Sequence, residues 1–249
     1  MMSSFLTRYR AGESIQVWRE LLALGAQVRE TDFAEDGYRV ALETMRRVRQ
    51  NVETVHHRLI QLGYQFWVPE RAVALPSPSV SGSLAEVEHL LGPLPLSLRA
   101  FYEVVGSVDF RQSPQQLIQW QEPGRTNAPE LRVLGEEDPL VIKPLADLHG
   151  AMQHSGTRLS FCFAPDEFFK ANYGGGENYH VWLPNPAADF RIEGMYYIDE
   201  YFVDYLRASF VGGGFRGRIE TLPDNDQQCH KVAPQLQIIQ TLAADLLPI

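Results

Sequence analysis

Between residues 12 and 63 apolar side chains recur at helical intervals, in two segments that part near residues 30–35. The first carries Ile15, Trp18, Leu21, Leu22 and Val28. In the second, Met45, Val48, Val52, Val55, Leu59 and Leu62 alternate in steps of three and four, the seam of a helix laid along another helix, and Gly63 supplies a stop. The pattern predicts an antiparallel helical hairpin. Arg39, Arg46, Arg47, Arg49 and Arg58 fall mainly outside the seam, mixed with Glu43 and Glu53, as on a solvated face laced with ion pairs.

Periodicity then changes. Residues 64–68 suit a short strand, and 69–83, with Pro69, Pro76, Pro78 and a Ser/Gly cluster, suit a linker. This places a boundary between a helical hairpin extension at 1–70 and a second domain at 71–249. Beyond it, apolar helices are predicted at 84–91 and 97–105. Pro95 stands ahead of the second, Ser97 is its candidate N-cap, and Leu98, Phe101, Tyr102 and Val105 share one face. Gly106 supplies the left-handed residue that ends it. Strands are expected at 107–110, 140–142, 159–164, 179–183 and 195–198, with an edge at 131–134 inside a loop-rich stretch, 114–139. Helices are expected at 145–152, 201–210 and 232–246. Strands and helices without a regular βαβ rhythm indicate an α+β fold.

Charge sharpens this division. The chain of 249 residues carries a net charge of −9, yet residues 1–70 hold nine Arg and nine acidic side chains, so the whole acidic excess falls in 71–249. Such a domain repels nucleic-acid phosphates and attracts basic partners. Cys162 and Cys229 are the two cysteines, with no CxxC pair, which fits a reduced, cytoplasmic setting and excludes a disulfide framework. No stretch approaches the length of a membrane span or the core of a signal peptide.

Catalytic signatures are sparse. Gly174-Gly175-Gly176 lacks the Gly-Lys-Ser/Thr ending of a phosphate loop, and Gly212-Gly213-Gly214 lacks dinucleotide spacing. Turn geometry with positive φ accounts for the first cluster and a helix end for the second. The seven histidines show no zincin spacing, so no metal and no cofactor is expected. Cys162, His180 and Asp166 or Asp189 could converge as nucleophile, base and orienting acid, but Cys162 sits in the apolar run 159–164, where a free cysteine is an ordinary small core residue. Asp166 and Asp199 suit helix caps better than acids.

The segment Leu94-Pro95-Leu96-Ser97-Leu98-Arg99-Ala100-Phe101-Tyr102-Glu103-Val104-Val105-Gly106, preceded by Leu84, Val87, Leu90 and Leu91, resembles the helix-helix-strand entry of the SUKH superfamily of Smi/Knr-type domains. Phe163-Ala164-Pro165-Asp166-Glu167 through Tyr179-His180-Val181-Trp182-Leu183-Pro184 is similar to their central strand-loop-strand, and Phe202-Val203-Asp204-Tyr205-Leu206-Arg207 to their late helix. The match spans about 84–217; the helical region 1–63 looks like an extension beside such domains. The resemblance implies a mixed sheet flanked by helices and a non-enzymatic protein-binding role. It points to a toxin-immunity protein that neutralises a basic toxin domain by occlusion, with an intracellular adaptor or a Cys162-dependent hydrolase as alternatives. Aromatic and acidic residues suited to partner contact are Asp109, Trp120, Trp182, Tyr196 and Tyr197.

Overall fold

A computed structural model describes residues 4–30, 32–118, 131, 134–153, 158–174, 176–194, 200–217 and 233–249. The class is α+β. Helices α1 (Phe5–Arg10), α2 (Ser14–Ala23) and α3 (Ala34–Gln61) open the chain. Helix α1 was not evident from periodicity, because it is short and held from both sides. Ser4 caps it locally, accepting from Thr7 N–H, and the Asp36 carboxylate from α3 accepts from Phe5 and Leu6 N–H. Helix α2 turns back on α3, where Trp18 Nε1 donates to Thr44 Oγ1 at 3.1 Å.

The α3 seam is buried as predicted from Met45 through Leu59, whereas Leu62 falls just past the helix and is exposed. Its chief partner is not α2 but α5 (Leu96–Val104), with α4 (Val80–Leu91) packed alongside. The arginine face carries the expected ion pairs, Arg46 and Arg47 to Glu43 and Arg49 to Glu53. Arg58 departs from that face to donate to the carbonyls of Leu242 and Ala244, at the end of the last helix, α10 (Ala233–Ala243).

The segment 69–83 is woven into the fold. It holds a 3-10 turn at Pro69–Arg71, strand β1 (Val73–Ala74) and the start of α4. Strand β1 pairs antiparallel with β2 (Ser107–Asp109), and β2 with β3 (Val141–Ile142), in the order β1-β2-β3. Residues 64–68 form no full strand; a single antiparallel bridge joins Phe66 to Gln112, with Trp67 N–H donating to the Arg111 carbonyl and Ser113 N–H to the Gln65 carbonyl. Leu131 and Leu134 are buried and helical, in place of the expected edge; the rest of that stretch, between the short helix α6 (Pro114–Ile118) and residue 134, lies outside the described residues.

Strands β4 (Leu159–Ala164) and β5 (Tyr179–Leu183) form a second antiparallel pair, with α7 (Leu145–Met152) before them and α8 (Glu167–Lys170) between them. The described strand pairings are all antiparallel, where the resemblance implies a mixed sheet. The strand expected at 195–198 lies outside the described residues. Helix α9 (Phe202–Val211) follows and ends at Gly213 and Gly214, both at positive φ, as the glycine cluster predicts.

Two caps differ from expectation. Ser97 lies inside α5, not ahead of it; Pro95 takes the N-cap position and the Ala187 and Ala188 carbonyls accept from Leu96 and Ser97 N–H. Asp199 lies outside the described residues, and the described α9 cap comes from Asp189, whose Oδ2 accepts from Val203 N–H. The opening of α5 otherwise ends as read: Gly106 sits at φ +93° and donates to the Phe101 carbonyl, and a β-carbon there would strike the Ala74 carbonyl. Buried residues from both sides of residue 70 belong to one continuous core, with Phe202 packed against Phe101, Phe163 and Phe190 at ring distances of 5.0–5.7 Å.

Candidate functional site

Helix α8 inverts the usual order of its residue types. In Glu167-Phe168-Phe169-Lys170 the lysine is 0 % exposed while Phe168 and Phe169 are 46 % and 52 % exposed. Buried lysines and outward phenylalanines are both uncommon, and each needs a cause. Lys170 Nζ donates to Asp138 Oδ1 at 2.5 Å and to Tyr205 Oη at 3.1 Å, and lies over the Tyr179 ring at 4.7 Å. Burial works against its charge, but the Asp138 carboxylate and Tyr205 outweigh that and hold its pKa above the ordinary lysine value. Tyr179 Oη lies 2.8 Å from Glu167 Oε2 and 3.2 Å from Asp138 Oδ2, so its one proton is shared between the two carboxylates. Burial, then the Asp138 charge, pushes the Tyr179 phenol upward, and burial takes Tyr205 up to about 12, so both stay protonated.

This buried network anchors α8 from below. At its start Asp166 Oδ1 accepts from Phe169 N–H at 2.7 Å, the cap that the sequence indicated. A side chain at Gly176 would collide with that carboxylate. Gly176 therefore serves close approach, and neither Gly174 nor Gly176 has positive φ; among the described residues of this turn the left-handed one is Asn172, at φ +62°. Asn172 turns the chain so that Tyr173 emerges beside the phenylalanines, 50 % exposed, with its hydroxyl 3.4 Å from Glu136.

A second patch occupies the outward side of β4 and β5. Cross-strand register sets Ser160 opposite Trp182 and Cys162 opposite His180. His180 exchanges both backbone hydrogen bonds with Glu193 on its other side, so Cys162 and His180 form a non-hydrogen-bonded pair, the closer kind. The imidazole Nδ1 lies 3.0 Å from Ser160 Oγ, and Lys143 Nζ donates to Cys162 Sγ at 3.0 Å. Burial, helped by the Lys143 charge, lowers the His180 pKa. Neither expected acid orients this histidine: Asp166 caps α8, and Asp189 is buried with Ser97 Oγ donating to it at 2.6 Å. Register alone thus brings thiol and imidazole together, without a triad.

Of the residues proposed for contact, Trp182 is 42 % exposed, with Arg158 over its ring at 4.4 Å. Asp109 is half-buried and held by Arg111 through two hydrogen bonds, of 2.8 and 2.6 Å, while Arg111 stacks on Trp67. Trp120, Tyr196 and Tyr197 lie outside the described residues. Phe168, Phe169 and Tyr173 were missed, since a Phe-Phe pair beside a strand reads as core; the flanking Asp cap and Asn-Tyr-Gly turn were the available signal of a short protruding helix.

Among the described residues no group of three or more His, Cys, Asp or Glu is arranged to hold a metal ion, and no helix is long and apolar enough to cross a membrane. The chain matches no protein-family profile, no curated protein and no solved structure.

Proposed function

We propose that this chain is a protein-binding domain that docks a basic protein partner through Phe168, Phe169 and Tyr173, with Trp182 at the margin. One observation carries the proposal. Among the described residues the four exposed large aromatic side chains all fall between 168 and 182, and the helix bearing two of them is fixed from beneath by a buried ion pair. Exposed aromatics on a rigid base are the usual anchors of a protein interface, because their area is large and they lose little entropy on docking. Glu136 lies against Tyr173 and Glu167 on the same short helix as Phe168 and Phe169, and the net charge of −9 adds long-range attraction for a cationic partner. The SUKH resemblance adds a more specific reading: an immunity protein that neutralises a toxin by covering it, in the cytoplasm and without turnover. An adaptor of the same architecture is the second reading, and it needs only the same surface.

Phe168→Ala/Phe169→Ala/Tyr173→Ala is the test. The side chains are exposed, so unfolding free energy should change little per site, by roughly 0.5 kcal/mol or less. The wild type should retain a stoichiometric partner from native lysate, more weakly as salt rises, and the triple variant should lose it at least about tenfold. Undiminished retention by the variant would reject this face. A retained partner whose toxicity the wild type relieves and the variant does not supports immunity; a partner without toxicity favours the adaptor.

A further inference from the structure

Lys143 and Cys162 meet from neighbouring strands. Lys143 follows β3 directly and donates its backbone N–H to the Phe163 carbonyl, which lays it alongside β4. From there its Nζ donates to Cys162 Sγ at 3.0 Å. Burial does not force this contact: both residues are partly exposed, and a lysine stem ordinarily carries its charge out into water. Among the described residues no carboxylate pairs with this ammonium, so the sulfur is its polar partner. His180, opposite Cys162 in register, is engaged elsewhere, with Nδ1 3.0 Å from Ser160 Oγ.

We propose that Cys162 and Lys143 are a peroxide-dependent modification site, at which Sγ and Nζ become joined by a reversible sulfenamide bond. Cys162, its thiol proton lost to solvent, attacks one oxygen of hydrogen peroxide and becomes a sulfenic acid. The O–O bond breaks, and the departing hydroxide takes a proton from the Lys143 ammonium and leaves as water. Lys143 is then a free amine in contact with the oxidised sulfur. Its lone pair attacks Sγ, the S–O bond breaks, and the hydroxyl leaves with a proton from nitrogen as a second water. Sulfur is oxidised by two electrons and peroxide is reduced to water. Sulfenic acids condense with a neighbouring thiol or with a backbone nitrogen, and here the nitrogen in contact is Nζ. Closing 3.0 Å to a covalent bond takes a shift of about 1 Å, which the flexible lysine stem accommodates. Two equivalents of a thiol reverse the step, restoring thiol and amine as the reductant becomes a disulfide. The bond ties the end of β3 to β4 and removes the Lys143 charge, and it requires no docked partner.

Intact mass spectrometry and peptide mapping of the whole chain test the site, with Cys229→Ser in every sample to remove disulfide formation. Hydrogen peroxide should make the protein lighter by two hydrogens, the linked peptides should carry Cys162 and Lys143, and dithiothreitol should restore the starting mass. Cys162→Ser should show no such loss. Lys143→Gln should form no link, and its Cys162 should pass on to sulfinic and sulfonic acids, which dithiothreitol does not reverse, at least about tenfold more than in the parent. A Cys162 that stays a thiol, one that over-oxidises equally with and without Lys143, or a bond mapped to a different nitrogen overturns the proposal. Should Lys143→Gln fail to fold by circular dichroism, the mapped bond in the parent and its absence from Cys162→Ser decide it.

Discussion

Asp189 governs two helix starts with one carboxyl group, receiving the Ser97 hydroxyl of α5 on one oxygen and the Val203 N–H of α9 on the other. Burial drives its pKa up to about 7 from an ordinary 3.8, against the opposing pull of those hydrogen bonds. The folded protein therefore holds this proton more tightly than the unfolded chain does. Its contribution to stability is fully present below about pH 4 and is lost as pH rises through about 7, amounting to roughly 4 kcal/mol over the window. Asp189→Asn should remove that dependence: urea unfolding at intervals from pH 4 to 8 should show the wild type losing stability relative to the variant as pH rises. Parallel curves would rule out an Asp189 that ionises within this range. The sequence suggests Ser97 as the N-cap of α5 and Asp189 as an acid able to orient His180; in the structure Ser97 lies within the first turn of α5 and Asp189 caps α9. Their pairing was not legible, because they are 92 residues apart and nothing local links them.

At the scale of elements, periodicity located most helices to within a few residues, and the α3 seam shows both its strength and its limit. The three-four alternation continues to Leu62, but the helix ends at Gln61 and Gly63 turns the chain at φ +80°, so the last apolar member of the series faces solvent. Leu59→Ala should cost about 2–5 kcal/mol by opening a cavity, and Leu62→Ala about 0.5 kcal/mol or less. Equal losses in chemical denaturation would show that the seam extends past the helix. Helix α8 marks the other limit. Its Asp166 cap was legible, since a cap depends on residues three positions away, but the exposure of Phe168 and Phe169 depends on Lys170 being drawn inward by Asp138, Tyr179 and Tyr205. Those partners arrive from a loop, a strand and a helix well separated along the chain.

For the molecule as a whole, residues 1–70 and 71–249 are electrostatically unlike yet share one core, and the C-terminal residues fasten them together. Asn51 of α3 exchanges two hydrogen bonds with Leu247, at 2.9 and 2.7 Å, Arg47 donates to Pro248, and Ser14 and Arg207 both donate to the Ile249 carbonyl. Arg29 crosses the other way to the Leu94 and Pro186 carbonyls. A chain beginning at residue 71 would expose the surface of α5 that α3 covers. It should bind a hydrophobic dye and unfold without a cooperative transition; a sharp two-state melt would show that 71–249 stands alone.

The α+β class, the positions of most helices, β2 through β5, the Asp166 cap and the Gly106 stop were determined by the sequence alone. Each depends on side-chain size, charge and backbone freedom within a few residues, where periodicity and glycine or proline carry the information. Which face of a helix is buried against a distant element, which carboxylate caps which helix, and which aromatics stay outside were decided only in the tertiary structure. Burial and hydrogen-bond satisfaction are settled by neighbours brought together across the fold, so a lysine could displace two phenylalanines from the core once Asp138 was there to receive it.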